Sequence, residues 1–201
     1  SIIDPDSHLQ LVGGLADLAD FRTPLPAEGF YEGVNVAPGH VAAGLVFERP
    51  EATVEILAAL ATKRVALVAG PSGAGKSALA WLAAYQSRHV ARWYRLRRVS
   101  PDDVSRIAEL VRRLDASETR PIGFVVDDIG TDRTFGWDDL VREAETNAAI
   151  LLLGTVREED VFPLSTAAKT TIVRPVLTEG LAERVWRALH DAEQSQFSFW
   201  R

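Results

Sequence analysis

From residue 50 onward, short continuous apolar runs alternate with amphipathic stretches. Runs at 64–69, 91–96, 122–126, 149–153 and 171–176 have the length of strands. Three of them (65–69, 122–126 and 149–153) show no polar alternation, the pattern of strands covered on both faces. Between them the spacing predicts helices. Residues 50–61 begin with Pro50 and place Val54, Leu57, Ala58 and Ala61 on one face. Residues 76–86 lie after the first run. Ser100-Pro101-Asp102-Asp103 reads as a cap, a first-turn proline and first-turn acids, with a stripe of Val104, Ile107, Ala108, Val111 and Leu114. Residues 137–145 turn Trp137, Leu140, Val141 and Ala144 inward. Thr178 caps a last helix, 178–191, with Leu181, Val185 and Leu189 on one face. The alternation predicts an α/β fold: a mostly parallel sheet of about five strands with helices on both faces.

Residues 1–44 break this regularity. Gly13-Gly14 interrupts the apolar stretch 9–19, and Pro24, Pro26, Gly29, Gly33 and Pro38 punctuate residues 20–40. They read as the end of an upstream element plus an irregular linker, leaving 45–201 as the regular unit. The 201 residues contain no Met, start at Ser1 and end in a cluster of Phe197, Phe199 and Trp200. This is the profile of a module cut from a longer chain.

Composition narrows the chemistry. With no Cys, the chain has no disulfide, zinc–thiolate site, iron–sulfur cluster or cysteine nucleophile. The four His, at 8, 40, 89 and 190, form no close pair, which disfavours a histidine metal site. A net charge of −6 disfavours a protein that coats nucleic acid. No apolar run approaches the ~20 residues of a membrane span, and Asp4 and Asp6 stand where a signal peptide is basic. The expectation is a cytoplasmic protein.

Gly70-Pro71-Ser72-Gly73-Ala74-Gly75-Lys76-Ser77 comes after a buried run and opens a helix. It matches the phosphate-binding loop G-x-x-x-x-G-K-[ST] in full. Glycines let the backbone curl so that several N–H groups converge on phosphate oxygens. The helix start adds its positive end, Lys76 a point charge, and the Ser77 hydroxyl a ligand for Mg²⁺.

Ile122-Gly123-Phe124-Val125-Val126 runs into Asp127-Asp128. In a parallel sheet, ligands gather at the carboxyl ends of the strands. Asp127 is thereby expected in the metal shell and Asp128 as the base that polarises an attacking water. The next run ends in Thr155-Val156-Arg157, a hydroxyl and a guanidinium placed to sense a γ-phosphate. The alternative for Arg157 is a surface pair with Glu158 or Glu159.

Together these residues resemble the STAND class of signal-transducing P-loop ATPases, relatives of the AAA+ and NB-ARC proteins. The resemblance rests on the loop, on Val125-Val126-Asp127-Asp128-Ile129-Gly130 with Trp137 opening the next helix, on the strand ending Thr155-Val156-Arg157, and on 173–189 with its Leu177-Thr178-Glu179. Ahead of the loop, Leu45 to Glu51 is similar to the family's adenine-flanking element. Arg49 matches its arginine, and Glu48 stands where the family has Gly. The resemblance implies ATP or ADP with Mg²⁺, slow hydrolysis, and self-association that controls attached effector and sensor domains, in regulation or antiviral defence. It also implies a helical lid and winged-helix region after residue 190.

Two other readings stay open. The loop is very like that of guanylate kinases, and a nucleotide-binding scaffold need not hydrolyse anything. Arg88, Arg92, Arg95, Arg97 and Arg98 surround Trp93 and Tyr94, a mixture that can bind single strands. The acidic remainder of the chain favours an outer strand with solvated arginines, or with arginines facing a neighbouring subunit. An arginine of this run, or Arg133, could act on a neighbour's nucleotide. Trp81, Trp186 and the terminal aromatics are expected in core or domain contacts.

Overall fold

A computed structural model describes residues 14–28, 30 and 35–197, with side chains to residue 190. Ser1, His8, the start of the 9–19 stretch, Phe199 and Trp200 lie outside the described residues, and of Phe197 only the backbone is described. Six strands form one sheet: β1 (Ala16–Leu18), β2 (Val65–Ala69), β3 (Arg92–Leu96), β4 (Ile122–Ile129), β5 (Ile150–Val156) and β6 (Thr171–Val173). Their spatial order is β1-β3-β4-β5-β2-β6. All neighbours run parallel except β1, which is antiparallel to β3.

The helices are α1 (Pro38–Ala42), α2 (Pro50–Lys63), α3 (Lys76–Gln86), α4 (Pro101–Arg113), α5 (Trp137–Thr146), α6 (Glu158–Val161) and α7 (Glu179–Phe197). Alternate residues of β2 to β6 feed two cores. Val65, Leu67, Phe124, Val126, Ile150 and Leu152 pack with Ile107 and Val111 of α4 and Trp137 and Leu140 of α5. Ala66, Val68, Val125, Leu151 and Leu153 pack with Ile56 and Leu60 of α2 and Leu79 to Ala84 of α3. Both faces are covered, which explains the unbroken apolar runs.

Two expectations need correction. Residues 16–18, in the stretch read as the end of an upstream element, add a sixth strand to the expected sheet of about five: Asp17 stands opposite Arg95, and Leu15 and Ala16 are buried. β3 is therefore not an outer strand. Its Trp93 and Tyr94 are buried on opposite faces, so neither is available for stacking with a base. On α2 the buried face is Thr53, Ile56, Ala59 and Leu60, and Val54 is 65% exposed. That helix is apolar on most of its circumference, and the sheet takes the face with the bulkier Ile56 and Leu60. Trp81 is in the core as expected, whereas Trp186 is exposed and stacks on His190.

Arg64 ends α2 in the left-handed conformation, at φ 61°. Its guanidinium donates to the carbonyls of Ala144 and Glu145 at 3.2 and 3.0 Å, closing the C-terminal end of α5. Among the described residues, no helix is long and apolar enough to cross a membrane.

Candidate functional site

β2 ends at Ala69 and α3 begins at Lys76, so Gly70 to Gly75 form the turn between a central strand and a helix. The strand order reverses around β2. The chain leaves it for β3, returns through β4 and β5, and finally places β6 on its other side. That switch opens a crevice at the carboxyl edge. Gly73 and Gly75 take φ 78° and 76°, backbone that a side chain disfavours, and Gly75 is the N-cap of α3. The first-turn N–H groups of α3 face the loop without intrahelical partners. Pro71, Ser72 and Gly73 are exposed, while Gly70 is buried.

Lys76 is 8% exposed, and its ammonium donates to the Pro71 carbonyl at 2.9 Å. The cation is thus folded back over its own loop, within reach of the space the loop encloses. Arg49, the residue before α2, lies against the loop from outside. Its Nη1 donates to the Ala74 carbonyl at 2.8 Å, and its Nη2 is 2.6 Å from where a Cβ on Gly75 would stand. Burial pulls the Arg49 guanidinium below the ordinary arginine value. A cleft of about 210 Å³ adjoins it, lined by Arg49, Ala52, Glu55, Arg174, Val176 and Thr178 among others.

β4 delivers the carboxylates. Ser77 Oγ donates to Asp127 Oδ1 at 2.8 Å, and Thr155 Oγ1 donates to the same oxygen. The Asp128 N–H in turn donates to Thr155 Oγ1 at 3.1 Å. Thr155 is fully buried, so its hydroxyl is committed to the two aspartates. In the β4–β5 ladder Val126 pairs with Gly154 and Ile129 with Val156, so two aspartates stand opposite one threonine. This bulge carries Asp128 at φ 54° with an exposed side chain. A bulge re-aims a side chain at the strand's end.

Arg157 comes directly after Val156, which pairs with Ala69 at the end of β2. It is exposed, and Glu158 pairs instead with Arg174 at 2.7 Å. Lys76, Ser77, Asp127 and Thr155 therefore form one contact group with the loop. Arg49 flanks it, and Asp128 and Arg157 stand at the same sheet edge. An ion such as Mg²⁺ takes few protein ligands and completes its shell with water and phosphate oxygens, so a serine–carboxylate pair beside a phosphate loop fits it. A larger cavity, about 470 Å³, lies beyond the ends of β3 and β4 between Arg98, Asp103, Arg106, Arg133 and Phe135. It shares no lining residue with the loop.

Thr131 and Thr134 are not among the site residues expected from the sequence. Their hydroxyls donate to the Asp128 carbonyl at 3.1 and 3.0 Å. Side chain–backbone bonds of this kind carry no motif; the one hint was a hydroxyl-rich segment directly after a double Asp.

The parallel sheet, its switch point and the glycine loop opening α3 together decide the architecture. The fold is that of a P-loop NTPase. No family model matches the chain, and no curated protein matches it. Among solved structures, a DNA replication initiation factor is 14% identical, with a TM-score of 0.47 over 88% of this chain and 56% of that one. PCH-2 of C. elegans is 16% identical, with a TM-score of 0.43 over 68% and 46%. The replication initiator DnaA, bound to AMPPCP and single-stranded DNA, is 15% identical, with a TM-score of 0.40 over 64% and 45%. The chain spans about half the length of these proteins.

Proposed function

We propose that the chain is the ATP-binding, slowly hydrolysing switch module of a larger cytoplasmic signalling or defence protein of the STAND class. The observation that carries this is the Ser77–Asp127 contact beside Lys76 and the glycine loop. Gly70 to Ser77 would bind the phosphates, and Lys76 would turn from Pro71 to them. Ser77 and Asp127 would hold Mg²⁺, whose charge offsets that of the phosphate oxygens. Asp128 would orient the attacking water, and Arg157 would read the γ-phosphate. Thr155 serves this site by holding Asp127 and Asp128. Arg49 and the adjoining cleft would flank the base. Residues 45–201 would carry the nucleotide, with lid and winged-helix regions beyond them. The nucleotide state would set self-association and so control effector and sensor domains.

The test is a titration with ATP, ADP, GTP and GMP, with and without Mg²⁺, on the wild type and on Lys76→Ala, Ser77→Ala and Asp127→Asn. Adenine-selective binding is expected, lost in Lys76→Ala. Added Mg²⁺ should tighten ATP binding in the wild type and not in the other two variants. Unchanged affinity in Lys76→Ala would overturn the site, and tight GMP binding would favour a nucleotide kinase.

A further inference from the structure

Asp128 is a non-glycine residue held left-handed inside a strand, where the ladder that would hold it is interrupted. Such backbone is disfavoured for a residue with a Cβ and persists only where the surroundings fix it. Three hydroxyls do so. Thr155 accepts from the Asp128 N–H at 3.1 Å, and Thr131 and Thr134 donate to its carbonyl at 3.1 and 3.0 Å. A carbonyl oxygen has two lone pairs, and both threonine hydroxyls lie within donating distance of that of Asp128, nearer for Thr134 than its other acceptor, the Thr131 carbonyl at 3.3 Å.

Thr134 is buried, at 3% exposure, and its hydroxyl also lies 3.2 Å from that of Thr131. Its turn is anchored at a second point. The Val99 N–H donates to the Arg133 carbonyl at 2.7 Å, and the Gly136 N–H donates to the Val99 carbonyl at 2.9 Å. Gly136 packs so closely on Ser100 that a Cβ would stand 2.4 Å from the Ser100 carbonyl carbon. The turn 131–136 is therefore a fixed abutment rather than a loose loop.

We infer that Thr134, assisted by Thr131, is a positioning residue: its hydroxyl locks the left-handed bulge that aims the Asp128 carboxylate at the nucleotide's edge of the sheet. The inference rests on the proposed hydrolytic role of Asp128. Thr134 touches neither nucleotide nor metal in this scheme. Removing its hydroxyl should therefore lower turnover while sparing affinity.

The experiment compares wild type, Thr134→Val, Thr134→Ser and Thr131→Val. Steady-state ATP hydrolysis is measured together with the backbone carbon shifts of Asp128 in isotope-labelled, nucleotide-free protein. Thr134→Val should lose at least about tenfold in kcat with KM held within about twofold, as for a misplaced reacting group. It should also lose the left-handed Cα signature of Asp128. Thr134→Ser should restore both, and the exposed Thr131→Val should show a smaller loss of kcat in a chain whose core is untouched. Retention of the left-handed signature and of wild-type kcat in Thr134→Val would overturn the inference, as would equal losses in the valine and serine variants. Should the wild type turn over no ATP, hydrolysis as a function falls, and the Asp128 shifts alone still decide the lock.

Discussion

Replacing Gly75 by Ala perturbs the phosphate loop in two separable ways. Gly75 sits at φ 76°, where an alanine costs about 1–2 kcal/mol relative to glycine. The new Cβ would also stand 2.6 Å from Arg49 Nη2, so the guanidinium must withdraw. Withdrawal strains or breaks its 2.8 Å hydrogen bond to the Ala74 carbonyl. That bond is charged but only half-buried, and its loss adds about 1–2 kcal/mol. The sum is about 2–4 kcal/mol against the loop shape that phosphates require. At 1.4 kcal/mol per tenfold, nucleotide affinity should fall by about 30-fold to several hundred-fold. Arg49→Ala removes the second contribution in advance. Against that background Gly75→Ala should cost only the backbone part, about 1–2 kcal/mol. The assay is a double-mutant cycle read by fluorescent-nucleotide titration, with thermal unfolding confirming that each variant folds. Equal costs with and without Arg49 would refute the coupling of Arg49 to the loop. Unchanged affinity in both would refute the loop's role altogether.

Two further outcomes concern stability. Arg64→Ala loses both carbonyl contacts at the end of α5 while the strain at φ 61°, already borne by arginine, is unchanged, and should cost about 1–2 kcal/mol in urea unfolding. Arg64→Gly keeps the backbone relaxed and should cost roughly 1 kcal/mol less than Arg64→Ala. Asp138 is partly desolvated, which raises its pKa. The hydroxyls and N–H groups of Thr166 and Ser165 outweigh this and hold it below the ordinary carboxylate value. A depressed native value means that the Asp138 contribution is present above the unfolded value near 3.8 and is lost as pH falls through the native one. Asp138→Asn should flatten the acid limb of the stability curve below about pH 4 and lower the plateau by about 1 kcal/mol. An acid limb identical to that of the wild type would sink this assignment.

The parts of the fold that could be read from sequence are those where burial on two sides leaves no choice of residue. Leu67, Phe124 and Leu152 sit in unbroken runs because helices cover both faces. The loop could be read because its glycines answer a backbone demand, visible in the positive φ of Gly73 and Gly75. Strand ends were harder. β4 runs three residues past Val126 because the bulge absorbs a pair of aspartates, and no propensity anticipates that. β1 has three residues and acquires its identity from pairing with β3, a contact about eighty positions away in sequence, as between Asp17 and Arg97. The buried face of α2 differs from the one the spacing predicts because an alanine-rich helix offers the sheet several nearly equivalent faces. In the site, residue types with a fixed task in the motif (Lys76, Ser77, Asp127) could be named in advance. Thr134 donates to one backbone carbonyl, a contact the fold makes and no motif carries.

The short antiparallel strand has a consequence for how the protein behaves at high concentration. β3 would otherwise present an open row of backbone groups along Arg92-Trp93-Tyr94-Arg95-Leu96, the kind of edge that recruits other chains. β1 occupies that row, with the Ala19 N–H on the Trp93 carbonyl at 2.9 Å and the Arg97 N–H on the Leu15 carbonyl at 3.0 Å. Phe21 then lays its ring edge-on to Trp81 and Tyr85, fastening the strap to α3. Residues 15–21 thus cover an edge that would otherwise be open to self-templated β-assembly. Shortening the chain past Phe21 would exchange a discrete particle for a sticky one, whatever the phosphate loop still bound.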